Sequence, residues 1–395
     1  MNLPQLMLHK NADRRIKKGH LWIYSNEVDV AKTPLKPLLA GQQVEVVSAA
    51  GQSLGVAMVN PNALICGRLV SRKQELNKSL LTGRIKQALA LREQCFTEPF
   101  YRLIYGDSDF LPGLVVDRFN DQLVVQIASA GMELLQSEII NALREVLAPK
   151  GIILRNDHSA RELEELEAKV EIIGDVSEWL EVRENGCVFE VPVKGGQKTG
   201  WFYDHRLNRA YLQHWVKDKR VLDVFSYAGG WGVQAAVSGA ADVVCVDASE
   251  QALQWMRRNA ERNGVAGRVT GVQGKAIAVL KQMLEAGEKY DVVVLDPPAF
   301  IKKRKDQRAG EAAYRHLNEL AIRLLGQNGL LVSASCSMPL DNATLTEIVR
   351  GAARHLDRNA QMLWRGGQGP DHPVHPAIPE TEYLKAQFYR LSMII

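Results

Sequence analysis

The most constraining feature of the sequence is an alternation of apolar, strand-like runs with helix-like segments beyond residue 220. The strand-like runs are short and rich in valine and leucine, as expected of strands buried on both faces of a sheet. The segments between them are long enough to be the helical crossovers that parallel strands require. The strand-like runs are RVLDVF, DVVCVD, YDVVVLDPP and GLLVSAS, and the helix-like segments are VQAAVSGA, SEQALQWMRRNAERNG, residues 311–326 and TLTEIVRGAARHL. The pattern predicts an α/β fold with a parallel sheet and helices on both faces.

The chain before this region has a different pattern and predicts two further domains. Residues 1–75 consist of short alternating segments with a turn at residues 50–51, which is typical of a small β-rich module. Residues 79–97 have helical spacing, and a hairpin with its turn at residues 120–121 is predicted to follow. A chain of 395 residues has room for two or three domains. We therefore predict domains over residues 1–75, 76–188 and 189–395.

The composition indicates a globular protein of the cytoplasm. Of its residues 46% are hydrophobic and 24% are charged, and no apolar run approaches the roughly 18 residues of a membrane helix. The N-terminal residues lack the basic segment and apolar core of a secretion signal. The five cysteines are dispersed without a CxxC pair, and the nine histidines have no metal-ligand spacing. We predict no membrane segment, no disulfide framework and no metal site, and the sequence predicts no oligomeric state.

The positive charge of the chain is concentrated near its N-terminus. Residues 1–75 contain ten Lys and Arg against five Asp and Glu, a net charge of +5, whereas the whole chain has only +4. Such a segment favours a polyanionic partner, because basic side chains displace the counterions that a polyanion condenses. A solvated surface without a partner explains the same charge equally well.

A glycine-rich turn follows the first strand of the predicted sheet, within residues 220–232, RVLDVFSYAGGWG. Its glycines are not spaced as in the GxGxxG motif of dinucleotide-binding folds. Asp223 at the strand end suits the cationic amino acid portion of S-adenosylmethionine better than it suits NAD. Asp247 ends the next strand, where a carboxylate can accept hydrogen bonds from both ribose hydroxyls, although a helix cap is the alternative role. Ser249 is predicted to cap the following helix.

Two reactive side chains end the strand-like runs YDVVVLDPP and GLLVSAS, the fourth and fifth strands of the predicted sheet. Asp296 lies in LDPPAF and Cys336 lies in SASCSMPL. If these strands are neighbours, both side chains lie at the edge of the sheet where open α/β folds bind ligands. Cys336 is either a nucleophile or a buried thiol, whereas Cys245, flanked by valines, is predicted only to pack. Asp296 is either a group that acts on a substrate or a structural acid of the turn.

Two basic segments are candidates for contacts with nucleic acid. The first follows the strand that Asp296 ends, and contacts to phosphates around an unstacked base compete there with a solvated loop as the explanation. The second interleaves basic and aromatic residues near the N-terminus. The candidate residues are Lys302, Lys303, Arg304 and Lys305 in the first segment and Arg14, Arg15, Lys17 and Lys18 in the second.

RVLDVFSYAGGWG, VVCVDAS and VVLDPPAF resemble motifs of class I S-adenosylmethionine-dependent methyltransferases. Together with GGQKTGWFYDHRLNR they are similar to the RlmI family of bacterial 23S rRNA cytosine-5 methyltransferases. KKGHLWIYSNEV through ICGRLV resembles the PUA domain, a small RNA-binding β-barrel, and YGDSDFLPGLVVDRF is similar to the middle domain of that family. The resemblance implies a Rossmann-like seven-stranded methyltransferase domain preceded by a PUA β-barrel and an α+β middle domain.

The resemblance also implies roles for individual residues. Cys336 would be the nucleophile and Asp296 its catalytic partner. Lys275 is a departure from the family, which usually has an acid near the adenine amino group where this sequence has a lysine. A lysine cannot accept that hydrogen bond. The residues implied to bind S-adenosylmethionine are Gln197, Lys198, Thr199, Gly200, Asp204, Asp223, Tyr227, Gly229, Asp247 and Asp296.

The expected function is methyl transfer from S-adenosylmethionine to C5 of a cytosine in 23S rRNA through a covalent cysteine adduct. One alternative is an rRNA methyltransferase that acts on guanine N7 or on an amino group, since DPP motifs also serve transfer to nitrogen and no adduct is then needed. A second is a non-catalytic RNA-binding or assembly protein, which Lys275 favours. A small-molecule methyltransferase would leave the basic N-terminal module without a use.

Overall fold

The computed structural model describes residues 3–196 and 199–394. The internal contacts of the chain divide it into two compact units, each made of several segments. The first unit comprises Met1–Leu180, Pro192–Trp201 and Pro370–Thr381, and the second comprises Glu181–Val191, Phe202–Gly369 and Glu382–Ile395. Because the chain passes between the units several times, they are not consecutive segments, and the three-part division at residues 75 and 188 stays a prediction.

The first unit begins with a five-stranded sheet. Its strands are β1 (Gln5–Met7), β2 (Trp22–Tyr24), β3 (Gln43–Val47), β4 (Ser53–Val59) and β5 (Ile65–Ser71), in the order β1-β3-β4-β5-β2, and a short helix, α1 (Asp13–Lys17), follows β1. Alternate side chains such as Ile23, Val44 and Val46 are fully buried in its core, as the two-residue period of a strand dictates. The hairpin of β3 and β4 turns at Gly51, whose φ of +77° favours glycine. The β-rich pattern predicted for this region is confirmed.

A second five-stranded sheet and three helices follow in the same unit. The strands are β6 (Phe100–Tyr105), β7 (Leu114–Phe119), β8 (Gln122–Ile127), β9 (Gly151–Asn156) and β10 (Lys169–Gly174), in the order β10-β9-β8-β7-β6, and the helices are α2 (Lys78–Cys95), α3 (Ala130–Leu134) and α4 (Gln136–Leu147). Leu81 and Ile85 of α2 belong to the same buried core as Leu103 and Val125 of the sheet. The predicted helix and the predicted hairpin between β7 and β8 are both present.

A two-stranded sheet, β11 (Trp179–Glu184) and β12 (Cys187–Pro192), follows next along the chain. Its turn consists of Asn185 and Gly186, with φ of +53° and +79°. A two-residue hairpin turn requires this left-handed conformation, and Asn-Gly is the pair that adopts it most readily. Because β12 begins at Cys187, the domain boundary predicted at residue 188 falls inside a strand.

In the described part of the second unit, seven strands form one sheet. They are β13 (Arg220–Val224), β14 (Asp242–Asp247), β15 (Val269–Gln273), β16 (Tyr290–Leu295), β17 (Leu325–Ser335), β18 (Arg358–Gly366) and β19 (Lys385–Met393), in the order β15-β14-β13-β16-β17-β19-β18. The first five in this order pair in parallel, and β19 pairs antiparallel with β17 and with β18. The predicted parallel sheet is confirmed, but the antiparallel edge was not anticipated, because a loop rather than a helix precedes β19.

Helices connect the parallel strands, as predicted, and one further helix precedes β13. They are α5 (Arg206–Gln213), α6 (Gly232–Val237), α7 (Glu250–Arg262), α8 (Ala276–Glu285), α9 (Gln307–Leu324) and α10 (Asn342–His355). The predicted cap is present: the Ser249 hydroxyl accepts a hydrogen bond from the Ala252 amide at 3.2 Å and begins α7. No helix of the described residues combines the length and the apolar character needed to cross a membrane.

The register of the sheet determines which side chains meet at its carboxyl edge. Val224 at the end of β13 pairs with Val246 on one side and with Leu295 on the other, and Leu295 pairs with Ser333 of β17. The strand order reverses at β13, and open α/β sheets bind their ligands at such a reversal. Residues that directly follow β13, β14, β16 and β17 therefore lie along one edge, which confirms that Asp296 and Cys336 follow neighbouring strands.

Candidate active site

The turn after β13 is tightly packed and conformationally strained. Phe225 and Tyr227 have φ of +68° and +48°, a region that non-glycine residues rarely adopt. At Gly232, an added Cβ would lie 2.5 Å from the Cys245 sulfur, and at Gly229 it would lie 2.8 Å from Met256 and Val233 side-chain carbons. Strain of this kind persists where the surrounding structure holds the backbone in place, and it is concentrated at functional sites.

Asp223 lies beneath this turn as a fully buried carboxyl group. Its Oδ2 accepts a hydrogen bond from the Gly232 amide at 2.8 Å, whereas Oδ1 has no hydrogen-bond partner among the described residues. Burial raises the pKa of Asp223 to about 7, against the opposing effect of the Gly232 hydrogen bond. A buried acceptor without a partner is costly, so Asp223 leaves an acceptor open to a donor from outside the chain.

Asp247 at the end of β14 is tied to the same turn. One carboxylate oxygen accepts from the Tyr227 amide at 2.9 Å and the other from the Ser249 amide at 2.8 Å. Each carboxylate oxygen can accept more than one hydrogen bond, so the partly exposed group keeps acceptor capacity. The cap of α7 is Ser249, so the alternative role of Asp247 as a helix cap is wrong.

Asp296 is fixed in place by two side chains that the sequence analysis missed. Its Oδ1 lies 3.1 Å from His205 Nε2, and its Oδ2 accepts from Trp231 Nε1 at 3.0 Å. Burial alone would raise the pKa of Asp296, but His205 and the two hydrogen bonds outweigh burial and lower it. Asp296 is therefore an ionised carboxylate with a fixed orientation.

Asn208 determines how His205 meets this carboxylate. Its side-chain nitrogen donates to the Gly367 carbonyl at 3.0 Å and also lies 3.0 Å from His205 Nδ1. These two contacts hold the His205 ring in the orientation that directs Nε2 at Asp296. The sequence signal was the His-x-x-Asn spacing within YDHRLNR, which places the two side chains one helical turn apart.

Cys336 differs from the cysteine of the sheet core. Cys336 is partly exposed, and its sulfur lies 3.9 Å from the Pro297 carbonyl oxygen, next to Asp296 in the chain. Cys245 is fully buried, and burial raises the pKa of its thiol well above the usual value. The prediction that Cys245 only packs is confirmed.

The residues beside Cys336 are held by side chains from distant parts of the sequence. The Tyr314 hydroxyl of α9 is 2.8 Å from the Ser335 hydroxyl and 3.0 Å from the Ser337 hydroxyl. Lys385, the first residue of β19, donates to the Ser337 carbonyl at 2.6 Å. Tyr314 and Lys385 were both missed. The only signal was a charged residue at the start of an apolar run, YLKAQFYRL.

The segment before α5 contains the remaining residues that the resemblance implied for the cofactor. Gln197 and Lys198 lie outside the described residues. Thr199 and Gly200 belong to the first unit, where the buried Thr199 hydroxyl donates to Asp117. Asp204 belongs to the second unit, is buried, and accepts from the Tyr383 hydroxyl.

Lys275, the residue that departs from the family pattern, is exposed and occupies the N-cap position of α8, just after β15. Its side chain makes no capping hydrogen bond. Gln273, two residues earlier, pairs with Asp247 in the sheet. A side-chain acceptor for an adenine amino group would therefore have to come from a residue other than Lys275, because the lysine ammonium only donates hydrogen bonds.

The two basic segments lie in different units. In the second unit, Lys302, Lys303, Arg304 and Lys305 are all exposed, and none forms an ion pair within the described part of the chain. In the first unit, Arg15 pairs with Glu27 at 2.8 Å and Lys17 pairs with Asp13 at 2.6 Å, while Arg14 and Lys18 are exposed. Across the described residues no cluster of His, Cys, Asp or Glu is arranged to hold a metal ion.

A parallel sheet with a glycine turn after its first strand and acids at its strand ends defines a Rossmann-like methyltransferase, and the comparisons agree. A family model described as S-adenosylmethionine-dependent methyltransferase matches residues 138–357, more than half of the chain, and a PUA-like domain matches residues 6–72. A proposed S-adenosylmethionine-dependent methyltransferase from Streptococcus mutans has the same fold, with a TM-score of 0.83 and 22% identity over 98% of this chain and 100% of that one.

The chain belongs to the family of ribosomal RNA large subunit methyltransferase I. It is 36% identical to the protein of that name from Tolumonas auensis, over 97% of this chain and 98% of that one. A structure titled SMU.776, a proposed methyltransferase in complex with S-adenosylhomocysteine, aligns with a TM-score of 0.84 and 22% identity over 98% of this chain and 100% of that one. The cofactor is S-adenosylmethionine.

Proposed function

We propose that this protein transfers a methyl group from S-adenosylmethionine to C5 of a cytosine in 23S rRNA through a covalent adduct with Cys336. The name of the Tolumonas auensis relative supports rRNA of the large subunit as the substrate, and the PUA-like domain supports RNA binding. The observation that carries the proposal is the juxtaposition of a partly exposed thiol with the Asp296-Pro297 turn, 3.9 Å from the Pro297 carbonyl. A substrate in rRNA also agrees with the cytoplasmic location expected from the sequence.

The chemistry of cytosine explains why a thiol is needed. C5 is too weak a nucleophile to attack a methyl sulfonium directly. When the Cys336 sulfur forms a bond to C6, the ring becomes an enamine and C5 gains the electron density to accept the methyl group. Loss of the C5 proton to a base then expels the sulfur and restores the aromatic ring. Cysteine suits both steps, because it is a good nucleophile and a good leaving group.

Asp296 supports this reaction as a fixed acceptor. Because His205 and Trp231 keep its carboxylate ionised, Asp296 accepts hydrogen bonds rather than donating them. It would accept from the cytosine amino group, or from N3 once the ring has taken up a proton there. Its place after β16, beside Cys336, orients the base for attack at C6.

The glycine-turn residues fit S-adenosylmethionine, which supplies the methyl group when it is bound. The open Oδ1 of the buried Asp223 offers an acceptor to the donors of the methionine portion. Asp247 keeps acceptor capacity for the ribose hydroxyls. Tyr227 and Gly229 shape the backbone of the turn. Roles for Gln197, Lys198, Thr199, Gly200 and Asp204 remain part of the proposal on the strength of the family motif.

The exposed cations Lys302, Lys303, Arg304 and Lys305 would contact phosphates around the target base, because they follow the catalytic strand and carry no internal counterion among the described residues. Arg14 and Lys18 would do the same from the PUA-like domain. Arg15 and Lys17 contribute less, because acidic neighbours already neutralise them.

Bisulfite sequencing of 23S rRNA tests the proposal in cells that lack the gene and carry wild-type protein, Cys336→Ala or Cys95→Ala. We expect one 5-methylcytosine with the wild type and with Cys95→Ala, whose thiol is exposed in the first unit, and none with Cys336→Ala. A 5-methylcytosine that persists in Cys336→Ala would show that another residue is the nucleophile. If no 5-methylcytosine depends on the wild-type protein, a guanine N7 or amino-group enzyme is favoured. A protein that fails to bind S-adenosylmethionine in calorimetry would favour the non-catalytic alternative.

A further inference from the structure

Lys385 is a buried cation beside the candidate nucleophile. The residue is only 3% exposed, and in the sheet Lys385 lies directly opposite Ser335, the residue before Cys336. Its ammonium donates to the carbonyls of Ser337 and Tyr383, at 2.6 and 2.7 Å. These carbonyls engage two of its three hydrogens, so one remains for another acceptor.

No carboxylate in the described part of the chain lies within ion-pairing distance of Lys385. An ammonium removed from water without a counter-ion is costly, and peptide carbonyls compensate for that cost only in part. Cys336 lies between Ser335, which pairs with Lys385 in the sheet, and Ser337, whose carbonyl accepts a hydrogen bond from Lys385. The Cys336 thiol becomes an anion when it ionises. A cation held beside a thiol favours the thiolate, which is the nucleophilic form.

We propose that Lys385 is a positioning residue that stabilises the thiolate of Cys336, with the thiol proton released to water, and so prepares Cys336 for attack on the base. This inference rests on the proposed function for its catalytic purpose, but the interaction itself belongs to the protein without substrate. The burial of Lys385 and the hydrogen bond from its ammonium to the carbonyl of Ser337, the residue after Cys336, are the observations that carry it.

The charges around the pair agree with this assignment. Burial lowers the pKa of Lys385 to about 8, whereas the negative charge of a Cys336 thiolate raises it. The ammonium of Lys385 and the thiolate of Cys336 therefore stabilise each other. Glu382 before β19 and Asp341 before α10 also favour the charged lysine. On the α9 side the Tyr314 hydroxyl contacts the hydroxyls of Ser335 and Ser337, and burial raises the pKa of its phenol, so Tyr314 stays neutral at physiological pH. On the β16 side the Pro297 carbonyl, which follows the ionised Asp296, lies 3.9 Å from the Cys336 sulfur.

The test measures alkylation of Cys336 by iodoacetamide as a function of pH, with peptide mass spectrometry and without RNA. The exposed Cys95 serves as the internal reference thiol. In the wild type we expect the midpoint of Cys336 alkylation to lie below that of Cys95. In Lys385→Met, which keeps the length of the side chain but removes its charge, the midpoint should rise by about one to two pH units. Lys385→Arg should retain most of the wild-type behaviour.

An unchanged Cys336 midpoint in Lys385→Met would overturn the inference, as would a wild-type midpoint at or above that of Cys95. Calorimetric binding of S-adenosylmethionine shows whether Lys385→Met is folded. If it is not, the wild-type comparison with Cys95 decides alone. Failure of the proposed function has a different signature, namely methyl transfer by Cys336→Ala, which the alkylation profile does not report.

Discussion

The two halves of the carboxyl edge of the sheet are built by different means. The glycine-turn half, made of Asp223, residues 225–232 and Asp247, comes from two neighbouring strands and the short turn after one of them. Its carboxylates are bound by backbone amides of that same stretch. The cysteine half, made of Asp296, Cys336 and Lys385, depends on side chains from separate parts of the chain, namely His205 before α5, Trp231 of the glycine turn, Tyr314 of α9 and Lys385 of β19. A binding surface can be encoded locally, whereas a reactive pair of groups here requires the assembled sheet.

The first test of this difference is chemical trapping on the cysteine half. RNA whose target cytosine carries fluorine at C5 cannot lose a C5 proton, so the sulfur stays bonded to C6. We expect a covalent complex on denaturing gels with the wild type and none with Cys336→Ala, together with at least about a thousandfold loss of methyl transfer. Trapping by Cys336→Ala would show that another residue is the nucleophile.

Asp296→Asn should have the next largest effect. The variant keeps the shape of the side chain but removes the negative charge, and we expect about a hundredfold lower kcat with cofactor affinity nearly unchanged. Because the pKa of Asp296 is lowered, wild-type activity that depends on its ionised form should persist into mildly acidic solution and fall only as the pH drops through that lowered pKa. Glu285→Gln, an exposed carboxylate of α8, is the matched control. A loss of affinity without a loss of kcat would place Asp296 in the glycine-turn half instead.

Asp247→Ala tests the glycine-turn half. Loss of hydrogen bonds to a charged acceptor should weaken S-adenosylmethionine binding by about tenfold, or about 1.4 kcal/mol, in calorimetry. Single-turnover rates at saturating cofactor should stay close to those of the wild type, since Asp247 does not contact the reacting atoms. A rate that remains low at saturation would mean that the two halves are coupled rather than separable.

The smallest effect is expected from the basic loop that follows the cysteine half. Replacing Lys302, Lys303, Arg304 and Lys305 by alanine should reduce the salt dependence of RNA binding by about 0.7 in the logarithmic slope for each phosphate that these side chains neutralise. Cofactor binding should not change. Arg350→Ala, whose guanidinium is paired with Glu347 at 2.7 Å, removes a cation of the same unit as the control. An unchanged slope in the loop variant would mean that these cations are only solvated.

The sequence was informative where structure depends on neighbours in the chain. Strand ends, the glycine turn and the Ser249 cap are set by local periodicity and short-range hydrogen bonds, so Asp223, Asp247, Asp296 and Cys336 could all be assigned to one edge before the fold was known. The adjacency of β16 and β17 was a condition that the sequence left open, and the sheet meets it.

The groups that surround Asp296 and Cys336 could not be assigned in this way. His205 lies in a segment with no strand pattern, yet its ring directs Nε2 at Asp296. Lys385 lies next to the Cys336 region only because β19 pairs antiparallel with β17. The hydrophobic periodicity of one strand does not specify which other strand will pair with it. Propensity and patterning describe one element at a time, whereas these contacts depend on how elements pack.

The position of β19 in the sheet has a consequence for the order in which the enzyme becomes competent. β18 precedes β19 in the chain, yet it lies outside β19 and pairs with it rather than with β17. During synthesis β18 therefore has no place in the sheet until β19 has emerged from the ribosome and inserted between it and β17. Lys385 arrives with that last strand, so a nascent chain could already hold its glycine turn while its cysteine still lacked the neighbouring ammonium.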